Sequence, residues 1–177
     1  MFRQNWLYWR HALDVSPILE AADRRMTEDA TTFGGANLDH RRSKVAWLDH
    51  EESILKMISP FAMGAAEHMG IDILPRSQLQ YTEYHGSEGG KYDWHHDVDW
   101  NNSEGLDRKL SVTVQLSDPT DYTGGEFEFQ EVEQPKPECR DKGTVLVFPS
   151  YLQHRVLPVT SGVRKTLVAW FVGPRWR

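Results

Sequence analysis

Four residues of this chain could do chemistry together if the fold brought them to one place: His95, Asp97, His154 and Arg164. His95 and Asp97 lie two apart in "YDWHHDVDW", residues 92–100. On an extended segment alternate side chains point the same way, so both can converge on one ion, while His96 and Val98 point away. The pair alone carries little weight. With 8 histidines and 13 aspartates, chance places roughly 0.6 such pairs in a chain of this length. His50-x-Glu52 is the matching decoy. It stands at an expected helix start, where acidic residues favour the positive end of the helix dipole.

A third residue far downstream gives the pair its meaning. His154 follows the apolar run "GTVLVFP" and precedes "RKTLVAWFV". Two histidines and one carboxylate make a facial triad, a donor set suited to non-haem Fe(II), with coordination positions left for a bidentate organic acid and dioxygen. Structural zinc favours four protein ligands, often cysteines, and this chain has a single cysteine, Cys139. Arg164 opens the last strand-like run. An inward-facing guanidinium binds a carboxylate bidentately and would anchor the far end of a dicarboxylate held on the metal. Thr166, Val168 and Trp170 should share its face, with Lys165 pointing outward.

The elements that must position these residues divide the chain in two. Ser16-Pro17 is a capped helix start, followed at helical spacing by Ile18, Leu19, Ala22 and Met26, which predicts a helix to about Thr27. Asp49 with Glu52 reads as a capping box ahead of Ile54, Leu55 and Ile58. Pro60 then marks a kink or a boundary between two helices, with Gly70 near the end. Between them "SKVAWL" reads as a short edge strand. From Arg76 onward the period changes to two, and "SQLQYTEY", "KLSVTVQL", "GEFEF", "GTVLVFP" and "RKTLVAWFV" read as strands. Leu110, Val112, Val114 and Leu116 share one face of their strand, and Ser111, Thr113 and Gln115 the other, which needs water or a ligand. Short strands that do not alternate with helices predict a mainly β fold with N-terminal α-helices, an α+β sandwich, barrel or jelly roll whose helices cover one outer face.

Composition sets the outer limits. At 177 residues, 39% hydrophobic and 26% charged, the chain suits one globular domain, with helical support over about 1–72 and a β core over about 73–177. A net charge of −6 provides no overall field for a phosphate backbone, which disfavours nucleic acid as a partner. No apolar run is long enough for a signal peptide or a membrane span, and one cysteine forms no internal disulfide, so a cytoplasmic, reducing setting is expected.

Taken together, these motifs resemble the Fe(II)- and 2-oxoglutarate-dependent oxygenases, in particular the prolyl 4-hydroxylase-like branch. The resemblance runs from about Val45 to Pro174, through "VAWL", "QYTEY", "KYDWHHD", "RKLSVTVQLSDPTDYTGGEFEF" and "GTVLVFPSYLQHRVLPVTSGVRKTLVAWFVGP". It implies a double-stranded β-helix of jelly-roll or cupin-like form with the metal between two sheets. It also implies His95, Asp97 and His154 as iron ligands that act through the metal, and Arg164 as partner of the distal carboxylate of 2-oxoglutarate. Tyr84 corresponds to a tyrosine that helps hold this co-substrate, and Thr113 and Gln115 fall on strand positions that line the pocket. The implied cofactors are Fe(II), 2-oxoglutarate and O2, with ascorbate as a candidate reductant. The implied reaction is hydroxylation of an unactivated C–H bond, foremost in a prolyl residue of a peptide or protein, with succinate and CO2 as co-products. Arginine stands here where collagen-type prolyl hydroxylases usually have lysine, and either cation can do this work.

Other residues have plainer readings. Tyr92 and Trp94, on the opposite strand face from His95 by parity, suit core packing. Trp100 and Arg108 are candidate substrate contacts at the pocket mouth, with solvation as the alternative. His11, His40, His50, His68 and His85 read as ordinary polar histidines, and Gly124-Gly125 as a turn or bulge. Three functions compete: a prolyl hydroxylase; a hydroxylase of another residue, free amino acid or other small molecule, or a nucleobase demethylase; and a non-catalytic cupin-like metal-binding or sensing module.

Overall fold

The computed structural model describes residues 4–31, 37–103 and 105–177. The first helix, α1 (Ser16–Asp23), is shorter than its apolar spacing predicts. Asp14 rather than Ser16 organises its start, with Oδ1 accepting from both the backbone N–H and the hydroxyl of Ser16. The second, α2 (Glu52–Met69), runs unbroken through Pro60 and ends on Gly70 in the left-handed conformation at φ 66°. Ile71 N–H reaches back to the Ala66 carbonyl and closes that end. The expected capping box is absent: Asp49 Oδ1 accepts instead from Leu79 N–H at 2.6 Å, tying the helix entry to a strand.

The first third of the chain also contributes strands. These are β1 (Leu7–Trp9), β2 (Glu28–Asp29), β3 (Arg41–Arg42) and β4 (Lys44–Trp47), the last within the expected "SKVAWL" run. Then follow β5 (Ser77–His85), β6 (Lys91–His95), β7 (Leu106–Gln115), β8 (Tyr122–Gly124), β9 (Phe127–Phe129), β10 (Val145–Pro149), β11 (His154–Val156) and β12 (Val159–Pro174). The described strands form two antiparallel sheets. The larger has the order β1-β10-β7-β12-β5-β4-β2 with β8 paired to β12, and the smaller β3-β6-β11-β9.

Strand alternation sorts the larger sheet into two faces. Leu110, Val112 and Val114 of β7 join Leu167, Ala169 and Phe171 of β12 in one core, closed from outside by Ile18 of α1 and by Ile54, Ile58 and Ala62 of α2. Fully burying such an aliphatic side chain contributes about 1.5–3 kcal/mol. This core holds the sheet rigid and leaves its opposite face, with Ser111, Thr113, Arg164 and Thr166, to meet the smaller sheet. No helix among the described residues is long and apolar enough to cross a membrane.

Candidate active site

His95 at the end of β6 and His154 at the start of β11 are direct cross-strand partners. Asp97 follows two residues after β6, its N–H bonded to the Ser150 carbonyl at 2.9 Å. The three side chains converge as parity predicts. His95 Nε2 lies 3.7 Å from Asp97 Oδ1, and His154 Nε2 lies 3.6 Å from Asp97 Oδ2. All three ligand atoms fall within 4.8 Å of one another.

Each member is oriented from behind. His95 Nδ1 lies 2.7 Å from the Asp93 carbonyl, and His154 Nδ1 lies 2.9 Å from the Leu152 carbonyl. A carbonyl only accepts, so both rings carry a proton on Nδ1 and turn Nε2 to the centre. Burial, with the neighbouring His154, pushes the His95 pKa down to about 3, so the ring is neutral. Burial alone would raise the Asp97 carboxyl. The His154 and His95 rings and the Ser111 hydroxyl outweigh it and hold Asp97 below the ordinary aspartate range. Ser111 Oγ donates to Asp97 Oδ2 at 2.6 Å and lies 2.9 Å from Ser150 Oγ. Two imidazoles and one ionised carboxylate, pre-aimed at one point, fit iron.

Arg164 lines the same pocket. It is buried, donates from Nη2 to Gln115 Oε1 at 3.2 Å, and its guanidinium carbon stands 5.5 Å from the centre of the Tyr84 ring. Tyr84 is its register partner on β5, and burial raises the phenol pKa so that the hydroxyl stays protonated. Thr113, Thr166, Val168 and Trp170 also line the pocket, as the alternation along β7 and β12 predicts. Gly125 makes room for Arg164: at φ 66° it passes so close that an added Cβ would lie 3.0 Å from Arg164 Cδ and 2.8 Å from Val159 Cγ2. The Gly124-Gly125 pair is therefore more than a turn.

The structure corrects one placement. Tyr92 does not sit on the opposite face from His95. A bulge separates the pairs His154–His95 and Val156–Tyr92, with two residues of β11 spanning three of β6. The extra residue swings Tyr92 to the pocket side. Its ring stacks on His95 with centroids 3.4 Å apart and an 11° interplanar angle. Trp94 does face outward, beneath Arg155.

Three further side chains complete the site. Arg41, on the two-residue β3, lines the pocket with its guanidinium carbon 4.4 Å from the Tyr92 ring centre. It donates from Nη2 to Gln80 Oε1 at 2.9 Å, and Gln80 is also a lining residue. Phe127 stacks on His154 with centroids 5.3 Å apart. Of the proposed mouth residues, Trp100 is exposed and bonds His96. Arg108 lies over the Trp170 ring at 3.9 Å and donates to Gln78. It forms a wall of an adjoining polar cleft of about 380 Å³ that also takes in Arg76, Asp99 and Asn102. That cleft is larger than the pocket but contains none of the three converging ligands.

Comparison with known proteins agrees with this geometry. A PKHD-type hydroxylase of Synechococcus sp. (strain CC9311) is 36% identical over 97 residues, a stretch covering 55% of this chain and 43% of the relative. The chain thus spans less than half the length of that curated relative. Among solved structures, a Pseudomonas putida prolyl-4-hydroxylase superposes with a TM-score of 0.72 at 19% identity, covering 97% of this chain and 93% of the other. A Trichoplax adhaerens prolyl hydroxylase, in complex with a hypoxia inducible factor oxygen degradation domain peptide fragment, gives 0.71 at 18% identity, covering 94% and 83%. These likenesses agree with a jelly-roll core. The profile of the 2OG-Fe(II) oxygenase superfamily matches residues 79–172, more than half of the sequence and the span that holds the triad and Arg164. The chain belongs to the 2OG-Fe(II) oxygenase superfamily.

Proposed function

We propose that this chain is an Fe(II)- and 2-oxoglutarate-dependent dioxygenase that hydroxylates an unactivated C–H bond, foremost in a prolyl residue of a peptide or protein. The observation that carries the reading is the convergence of His95, Asp97 and His154 in one pocket with the buried Arg164. Fe(II) held by the triad supplies oxidative chemistry with O2 and 2-oxoglutarate, yielding succinate and CO2. The protein contributes orientation. His95 and His154 offer Nε2, and Asp97 offers a carboxylate fixed by Ser111. Arg164, held by Gln115 and flanked by Tyr84, receives the distal carboxylate of the co-substrate, and Thr113 lines its path. Phe127 and Tyr92 shield the two imidazoles from water.

The prolyl preference is supported by the solved structures that share the fold, one of which holds a peptide. Residues 1–177 are taken as one catalytic unit, with ascorbate as the reductant. A reducing, cytoplasmic setting is inferred from the single cysteine, which is free and buried. A peptide and metabolite screen read by succinate and by +16 products tests the whole reading. His95→Ala should abolish turnover, and Arg164→Ala should weaken 2-oxoglutarate binding about 10–100-fold, the loss of one charge-assisted contact. Unchanged co-substrate affinity in Arg164→Ala would overturn the anchor, and no succinate with any class of substrate would overturn the activity.

A further inference from the structure

Two buried arginines face this pocket, and both are held by a neutral acceptor. Arg164 donates to Gln115 Oε1 and Arg41 to Gln80 Oε1. Arg41 also donates from Nε to Ser43 Oγ and from Nη1 to the Thr31 carbonyl. Neither guanidinium forms an ion pair among the described residues, although Arg164 is only 3% and Arg41 only 7% exposed. Fixing a cation with an amide oxygen positions it without cancelling its charge, and a buried uncancelled charge is costly unless a ligand completes it.

Assigning charges by the function proposed above leaves one of them unmatched. Asp97 and the keto-side carboxylate of 2-oxoglutarate offset the two charges of Fe(II), and the distal carboxylate offsets Arg164. Arg41 remains. Its surroundings are set for an acceptor. Because arginine can only donate, the Gln80 amide is oriented without ambiguity: Oε1 takes Arg41, and Thr82 Oγ1 at 3.4 Å. The Gln80 nitrogen makes no hydrogen bond among the described residues, and the side chain lines the pocket. Trp170, 6% exposed on the same pocket wall, has a buried Nε1–H with no partner among the described residues.

We propose that Arg41, Gln80 and Trp170 form a subsite for a carboxylate of the substrate, so that the oxidised carbon belongs to a molecule with an acidic group close by. This rests on the oxygenase reading and narrows its substrate class. The carboxylate can belong to the oxidised residue itself, as in a free acid or chain terminus, or to an acidic neighbour in a peptide.

The test uses the full chain loaded with Zn(II) and saturating 2-oxoglutarate, which binds without turning over. Tryptophan indole resonances are followed by 1H–15N NMR, with Trp170→Phe identifying the Trp170 signal. Four probes are titrated: N-acetyl-proline, its amide, acetyl-Pro-Asp-amide and acetyl-Pro-Asn-amide. We expect at least one acid to bind tenfold or more tightly than its amide and to move the Trp170 indole. Which acid does so identifies the source of the carboxylate. Gln80→Glu gives Arg41 its own carboxylate in nearly the same volume, and it should erase the preference even if Arg41→Met fails to fold. Equal binding of acids and amides, no binding by any probe, or a preference that survives Gln80→Glu would overturn the subsite. The prolyl reading fails separately, by the absence of a +16 product from every probe under turnover with Fe(II).

Discussion

Replacing Ser111 by alanine should separate what holds the metal from what holds the fold. Ser111 is fully buried, and its hydroxyl bridges Ser150 Oγ at 2.9 Å and Asp97 Oδ2 at 2.6 Å. The bond to Asp97 is charge-assisted, so its loss should cost about 1.5–3 kcal/mol. At about 1.4 kcal/mol per tenfold, metal affinity should fall roughly 10–100-fold, the range usual for removing a group that orients a ligand. A second loss is independent of metal: the buried Ser150 hydroxyl is left without its neighbour, a cost of about 1–3 kcal/mol. The double change Ser111→Ala, Ser150→Ala removes that orphan. It should recover stability in urea unfolding while leaving metal affinity low. The assay is anaerobic competition for Fe(II) against a chromophoric chelator, with unfolding of the metal-free protein beside it. Metal affinity within twofold of wild type in Ser111→Ala would refute the claim that this hydroxyl orients Asp97. Parallel recovery of both quantities in the double variant would refute the separation.

Three further outcomes are expected. Gly125→Ala meets both a φ of 66° and a Cβ 3.0 Å from Arg164 Cδ; it should cost about 1–2 kcal/mol in denaturant unfolding and raise the 2-oxoglutarate dissociation constant by isothermal titration. The His95 pKa, lowered from 6.5 to about 3 by burial and His154, means that the unfolded chain takes up a proton on acidification before the folded one does. The metal-free protein should therefore lose stability as pH falls from 6.5 towards 3. The loss should be about 2 kcal/mol between pH 6.5 and 5, and His95→Gln should flatten the slope by that amount in urea titrations. Pro60→Ala, at an exposed position inside α2, restores a backbone donor and should raise the thermal midpoint, with a gain of about 1 kcal/mol after the lost rigidity of the unfolded chain is allowed for.

The parts of the site legible in the sequence are those governed by strand parity. His95 with Asp97, the polar face of β7, and Arg164 with Thr166, Val168 and Trp170 all lie on regular extended segments, where a period of two fixes direction. Tyr92 was misplaced for a physical reason: one extra residue in β6 inverts parity, and nothing in "KYDWH" announces it. Arg41 gives no signal because its partner Gln80 lies 39 positions away and β3 is too short to show any period, whereas Gln80 shares the face of Tyr84 on β5 by parity. The same limit hides β1, β2 and β3, whereas β4 is legible as the apolar run "SKVAWL". β1 gains its hydrogen bonds from a distant partner, Val145–Val147. At the helices, local capping rules gave the right neighbourhoods but the wrong bonds, since Asp49 is drawn to Leu79 instead.

β12 has a further consequence. From Arg164 to Trp170 it is a single regular strand, in continuous register with β5 throughout and with β7 from Thr166. At roughly 3.3 Å per residue, about 20 Å separate its two ends. The strand is thus a ruler with the proposed co-substrate anchor at one mark and the proposed substrate-side wall at the other. Because it is hydrogen-bonded on both sides, its length cannot drift. Inserting one residue after Arg164 would exchange the two faces for every later side chain and bury Trp170 where Phe171 now lies. On the proposed function, exchanging side chains at its marks would change what is oxidised, while the spacing between the marks stays fixed.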